Sequence, residues 1–178
     1  MSNANSLSYF KQKFNGGTRQ NRFEVEGNWP SIITENPETC FHIVSASMPQ
    51  SDVGIIQIPY RGRVLNLAGD REYEAWNIVV YDDTGTNSLW KAFTSWSNRI
   101  NKILGNVTDS NNLNFTRTKT NWKVRQLNTT NNGTLRELEL LGCWPASVGA
   151  LNFNASNVNP VVFTVTMNYD QYRITKYS

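Results

Sequence analysis

Val161-Val162-Phe163-Thr164-Val165-Thr166-Met167-Asn168-Tyr169 decides the fold class. Val161, Phe163, Val165, Met167 and Tyr169 fall on one face, and Thr164, Thr166 and Asn168 on the other. A period of two in β-branched and aromatic residues is the signature of a strand with one buried face. The threonine-rich face meets water or a neighbour.

The same period recurs upstream. Glu74-Ala75-Trp76-Asn77-Ile78-Val79-Val80-Tyr81 places Trp76, Ile78 and Val80 together, and Arg22-Phe23-Glu24-Val25-Glu26 alternates polar with apolar. Cys40-Phe41-His42-Ile43-Val44-Ser45-Ala46 reads as a further strand ending before Pro49, which has no N–H to give to a ladder. Trp122–Leu127 and Thr134–Leu140 form a strand, turn and strand, with Asn132-Gly133 supplying positive-φ positions, and the Gly/Pro-punctuated stretch 141–150 reads as a turn region.

One helix interrupts this pattern. Leu89, Phe93, Trp96, Ile100 and Ile103 recur at helical spacing over residues 88–104, Asn87 or Ser88 caps the start, and Gly105 stands where a terminating glycine belongs. Residues 106–121 are a polar loop rich in Asn and Thr. The polar stretch 1–20, with Asn15-Gly16-Gly17, is expected to be a flexible N-terminal segment. Residues 50–72 carry two short apolar runs separated by Pro59 and Gly62, with Gly69-Asp70 as a turn, and suggest an extended arm loop or edge hairpin. The expectation is a mainly β fold: an antiparallel β-sandwich or small barrel of six to seven strands, largely in meander order, with one flanking α-helix and the arm. Residues 21–178 form its single domain.

Composition agrees. The chain has 178 residues, 39% of them hydrophobic and 12% aromatic, enough for one cored domain. Charged residues are only 17%, and 17 Lys+Arg against 14 Asp+Glu give +3. Asn, Thr and Ser supply the polar surface instead. The apolar runs fall far short of the roughly 20 residues of a membrane helix. Met1–Leu7 lacks a basic region and an apolar core, so no secretory signal is expected, and assembly in a cytoplasm is the default. Cys40 and Cys143 are too few for a disulfide framework or a four-ligand zinc site and read as buried free thiols.

The usual catalytic sets are missing. His42 is the single histidine, and its pairing with Cys40, two residues away on one strand face, is the one arrangement that could activate a thiol. A cysteine within an apolar strand more often packs. Asp70, Glu72 and Glu74 alternate as metal-binding carboxylates could, but Arg71 interleaves and a solvated edge is the plainer account. No phosphate-cradling glycine motif is present. Arg61 and Arg63, Arg117 and Lys119, and Lys123 and Arg125 are basic pairs at strand spacing, yet +3 over 178 residues is weak for tight nucleic-acid binding. No enzyme and no cofactor are expected.

Ile58-Pro59-Tyr60-Arg61-Gly62-Arg63, then Ala68-Gly69-Asp70-Arg71-Glu72-Tyr73-Glu74-Ala75-Trp76, resembles the tail tube proteins of contractile-tailed bacteriophages. Asn21–Glu26, Ala46-Ser47-Met48-Pro49, the Trp96 helix and Leu140–Gly149 extend the resemblance over about residues 21–170. It implies a structural virion protein, assembled in the host bacterial cytoplasm, whose sixfold rings stack into the inner tail tube through which DNA is ejected. The implied partners are the chain itself, the tail sheath protein, a baseplate tube initiator, a tape-measure protein, a tail terminator, and DNA in transit without specific binding. By the same resemblance Ile55, Ile56, Ile58, Tyr60, Arg61 and Arg63 are arm contact residues, with Asp70, Arg71 and Trp76 at the arm's base. A lumen must not grip phosphates, so it should be neutral or acidic. Glu137 and Glu139, on one strand face, are candidates to line it. The alternatives that stay open are a tube protein of a phage-like injection or secretion device or a baseplate tube initiator, and a soluble β-sandwich that binds glycan or nucleic acid.

Overall fold

The computed structural model describes residues 7–14, 16–34, 42–84, 88–108, 115–129 and 132–177. Among these, the strands are β1 (Phe23–Gly27), β2 (Ile43–Ala46), β3 (Ser51–Tyr60), β4 (Arg63–Tyr73), β5 (Trp76–Tyr81), β6 (Thr120–Leu127), β7 (Thr134–Val148), β8 (Val162–Asn168) and β9 (Gln171–Tyr177). The helices are α1 (Leu7–Lys13), α2 (Leu89–Ile100) and the single turn α3 (Phe115–Thr118). The fold is mainly β and antiparallel, but its order is β1-β6-β7-β8-β5-β2 with β9 also on β7, so it is not a meander. The β6–β7 hairpin inserts between strands from the two ends of the chain, a long-range pairing that local periodicity does not encode.

β7 organises the molecule. Its first part pairs with β6 on one side and β9 on the other; its last part, Trp144–Val148, pairs with β8. Trp144 faces Asn168 and Leu141 faces Gln171, so β8 and β9 follow β7 as one long partner bent at Tyr169-Asp170. The stretch 141–150, expected as a turn region, is strand almost throughout. Gly142 (φ 69°) and a register shift at Pro145/Ser147 take up the bend, as strands that pass from one sheet to the next do at corners. A Cβ on Gly142 would lie 2.2 Å from Asp170 Oδ2. One sheet is therefore β1-β6-β7-β9, the other the end of β7 with β8, β5 and β2.

The core lies between these sheets and α2. Trp76, Ile78 and Val80 of β5 meet Phe163, Val165 and Met167 of β8, as the alternation requires, and Trp122, Val124, Leu140 and Val25 close it from the first sheet. Leu89, Phe93 and Trp96 of α2 complete it. Ring contacts join Trp29 to Phe93, Trp96 and Trp122 at 4.9, 5.8 and 5.8 Å. Trp96 Nε1 donates to Thr118 O at 2.7 Å, which ties α3 beneath α2. Ser88 caps α2, its Oγ accepting from Lys91 N and donating to Asp82 at 2.9 Å.

Several expectations are corrected. The helix ends at Ile100, with Asn101 extended, so Ile103 is not part of the buried stripe and stands 72% exposed. Asn98 Oδ1 accepts from Ile103 N, a local bond that competes with the next helical turn. Gly105 (φ 91°) serves the following turn. In the β6–β7 turn Asn132 has positive φ (55°) and Gly133 does not. Part of the N-terminal segment forms α1, with Phe10 and Phe14 stacked at 5.0 Å. β9 was not expected: Gln171–Tyr177 alternates only weakly because most of its side chains are exposed.

Candidate subunit-contact surfaces

The arm is a hairpin of two long strands, not two short ones with a turn at Gly69-Asp70. Arg61 (φ 46°) and Gly62 (φ 78°) form the two-residue turn, and Tyr60 pairs with Arg63 on either side of it. Gly69 lies inside β4, opposite Gly54, where a register shift lets the backbones come close. Ten residues of strand make the arm about 30 Å long. β3 and β4 form a two-stranded sheet of their own. Pairing places Ile56, Ile58 and Tyr60 on the same face as Leu67, Leu65 and Arg63. These are core-type side chains without a core under them: Ile56 is 53% and Tyr60 65% exposed.

Of the expected arm contacts, Ile56, Ile58, Tyr60 and Arg63 share this face, whereas Ile55 points to the other; Arg61 sits at the tip, its guanidinium 5.4 Å from the Tyr60 ring. Leu65 and Leu67 belong with them but were not singled out; their spacing of two was the available signal.

Hydrogen bonds and ring contacts tie the base of the arm to the body. Arg71 Nη1 donates to Ser51 Oγ at 2.6 Å, and Ser51 Oγ lies 3.0 Å from the Tyr172 hydroxyl. Tyr73 packs edge-on against Tyr169 and Tyr172 at 5.9 and 5.6 Å, and Tyr169 OH donates to Gln50 O at 3.2 Å. Burial pushes the Tyr169 phenol up to about 12. Trp76 is fully buried and braces the approach to the arm by donating to Ser47 O at 2.7 Å. Asp70 is exposed on β4. The tyrosine cluster was missed because Tyr73 lies about a hundred residues from Tyr169 and Tyr172.

Glu137 and Glu139 share the outer face of the sheet β1-β6-β7-β9, turned away from the core. Neither is a bare carboxylate. Arg125 Nε donates to Glu137 at 2.6 Å while its terminal nitrogens reach Glu26 at 2.5 Å and Glu24 at 3.4 Å; Arg173 donates to Glu139 at 2.6 Å. The Thr175 hydroxyl and then Arg125 hold the Glu137 carboxyl below its ordinary range. Hydrogen bonding to Glu137 likewise holds the Arg125 guanidinium above its own. The face thus carries four carboxylates, Glu24, Glu26, Glu137 and Glu139, against four cations, Lys123, Arg125, Arg173 and, paired in register with Glu137 at the β9 margin, Lys176.

Cys40, and with it the thiol–imidazole pair, lies outside the described residues; His42 Nε2 stands 3.7 Å from Asp83 Oδ2. Cys143 is buried and its thiol is pushed up to about 12 by that burial, which leaves little thiolate. Among the described residues no group of three or more His, Cys, Asp or Glu could hold a metal ion. Nor is any helix there long and apolar enough to cross a membrane.

Comparison with known proteins converges on one class. The chain is 26% identical over 175 residues to the tail tube protein of Serratia phage KSP90, covering 96% of each, and 26% identical over 155 residues to tail tube protein gp19 of Enterobacteria phage T4, covering 86% of this chain and 90% of that one. Its fold is similar to that of the tube-terminating cap of the anti-feeding prophage (TM-score 0.61, 20% identity, 91% and 93% covered). It is also similar to a chain of the sheath-tube complex of an extracellular contractile injection system in its extended state (TM-score 0.56, 17% identity, 96% and 97% covered). The family described as phage tail tube protein matches residues 12–175, and the chain belongs to that family.

Proposed function

We propose that this chain polymerises into stacked hexameric rings that form the inner tube of a contractile phage tail, the conduit for DNA ejection. The observation that carries this reading is the arm: some 30 Å of hairpin whose apolar face has no core of its own. A two-stranded hairpin is marginal in water, and exposed isoleucines and leucines on one are a docking surface. The contacts are Ile55, Ile56, Ile58, Tyr60, Arg61 and Arg63, joined by Leu65 and Leu67, and the seat is the adjacent ring. Asp70, Arg71 and Trp76 hold the base.

The sheet β1-β6-β7-β9 is the wall of the bore, with Glu137 and Glu139 facing the lumen. Its strands alternate in direction and are even in number, so a copy rotated about the tube axis continues the antiparallel pattern. Carboxylates that match the cations in number and occupy both arginines leave the wall near neutral and keep it from gripping phosphates, since each cation offered to DNA would add salt-dependent affinity. The tail sheath protein, a baseplate tube initiator, a tape-measure protein and a tail terminator are its partners, and the virion tail its place.

Electron microscopy of the purified chain tests this. Hollow sixfold rings or stacked tubes are expected; compact single particles at high concentration overturn the reading and favour a soluble binding module. A second reading is the tube of a phage-like injection device or a tube initiator, favoured by the fold likeness to the cap and sheath-tube assemblies. Flanking capsid and terminase genes select the phage tail; their absence selects the device.

A further inference from the structure

The outer face of the sheet β1-β6-β7-β9 arranges its ionised groups in rows. Glu26, Lys123, Glu139 and Arg173 stand in register on the four successive strands. Glu24, Arg125 and Glu137 form the adjacent row, which reaches β9 at Thr175, hydrogen-bonded to Glu137 at 2.7 Å, and at Lys176. The sign alternates along each row. Each begins with a carboxylate at the β1 margin and ends with a cation at the β9 margin. Arg22, just before β1, is drawn to Asn132 Oδ1 at 2.9 Å, which leaves the two glutamates as the ionised groups of β1 itself. The marginal charges keep much of their surface: the Arg173 side chain is 62% exposed, those of Glu24 and Glu26 40% and 47%.

We infer that neighbouring copies of this chain join with the acidic β1 margin of one against the basic β9 margin of the next, so that both charge rows run unbroken round the ring, and that this sign pattern selects a rotational joint over a two-fold dimer. The inference rests on the ring reading above and deepens it by naming the seam. A two-fold joint would set Glu24 and Glu26 against their own copies, or Arg173 against itself, and like charges side by side across an interface work against that partner. The head-to-tail joint meets opposite signs and can close by rotation. A closed barrel needs stagger between strands. Stagger does not spoil the match, because a slip of two residues keeps every side chain on its face and merely moves Arg173 from Glu26 to Glu24.

The test uses two variants of the full chain, Glu24→Lys with Glu26→Lys and Arg173→Glu with Lys176→Glu. The first has two basic margins and the second two acidic ones. Each alone should remain unassembled by sedimentation and electron microscopy under conditions in which the unaltered chain forms rings. Mixed one to one, they should assemble, because every seam in an alternating ring of six then joins opposite signs. A merely misfolded variant would not be rescued by another. Assembly of either variant alone as readily as the unaltered chain, or a mixture that stays unassembled, overturns the seam. If the unaltered chain itself forms no rings, the ring reading fails and takes the seam with it.

A disulfide measurement serves should the reversed variants not fold. Residues 26 and 173 lie at opposite margins, three strand spacings or about 14 Å apart, beyond the roughly 7 Å a disulfide spans. Glu26→Cys with Arg173→Cys, or Glu24→Cys with Arg173→Cys for the staggered register, can therefore link only between copies. One pair should give a ladder up to a closed ring on a non-reducing gel. Assembled particles that link with neither pair overturn the seam.

Discussion

The arm and the sandwich draw on the same kinds of side chain for opposite ends. In the sandwich Trp76, Trp96, Trp122 and Phe93 lose nearly all their surface to one another, whereas on the arm Ile56, Ile58, Leu65 and Leu67 remain about half exposed. Burial of a large apolar side chain contributes about 1.5–3 kcal/mol to folding. The arm gains little of this within its own chain. What the contrast teaches is that apolar periodicity reports a buried face without saying which molecule buries it.

Four measurements can break or sharpen the contrast. Trp122→Ala should cost the isolated chain about 3–5 kcal/mol in chemical denaturation, since it empties the centre of the aromatic cluster; a loss under 1 kcal/mol would mean the core is not shared as described. Gly142→Ala should cost about 2 kcal/mol or more, from its positive φ and from the close approach of Asp170, which Lys119 holds at 2.6 Å. Combining it with Asp170→Gly should return part of the loss, the non-additivity of two groups in contact.

A smaller effect belongs to the charge rows. Because Glu137 has its carboxyl held below the ordinary 4.5, its contribution is fully present above that value and fades as pH falls through the lower folded-state value. Acid titration of stability should therefore steepen below about pH 4.5, and Glu137→Gln should cost about 1 kcal/mol at neutral pH and flatten that limb. An unchanged acid limb would show that the pairing with Arg125 and Thr175 does not form. The smallest effect on the isolated chain is the one that matters most for the contrast: Ile58→Asp with Leu65→Asp should shift stability by no more than about 0.5 kcal/mol yet abolish rings or tubes in sedimentation. A large loss of stability would place the arm within its own chain's core.

How far the sequence could be read follows the same division. β5, β8 and α2 were legible because Trp76-Ile78-Val80, Phe163-Val165-Met167 and Leu89-Phe93-Trp96 carry their period on faces buried within the chain. β9 was not, since a strand whose side chains are mostly exposed has no core to enforce alternation. The corner in β7 read as a turn because Gly142 and Pro145 normally punctuate; here they bend a strand that continues. For the contact surfaces, the apolar arm was visible from local spacing. The arginines that occupy Glu137 and Glu139, and the cluster Tyr73, Tyr169 and Tyr172, depend on strand register between distant segments, which no local pattern carries.

The shared strand β7 has a mechanical consequence. In a sandwich whose slabs meet only through side chains, sliding is resisted by packing alone; here one covalent chain, mirrored by β8 and β9 across the bend, belongs to both slabs. A push delivered to the face of one is transmitted through peptide bonds to the other, so each unit resists shear between its two slabs.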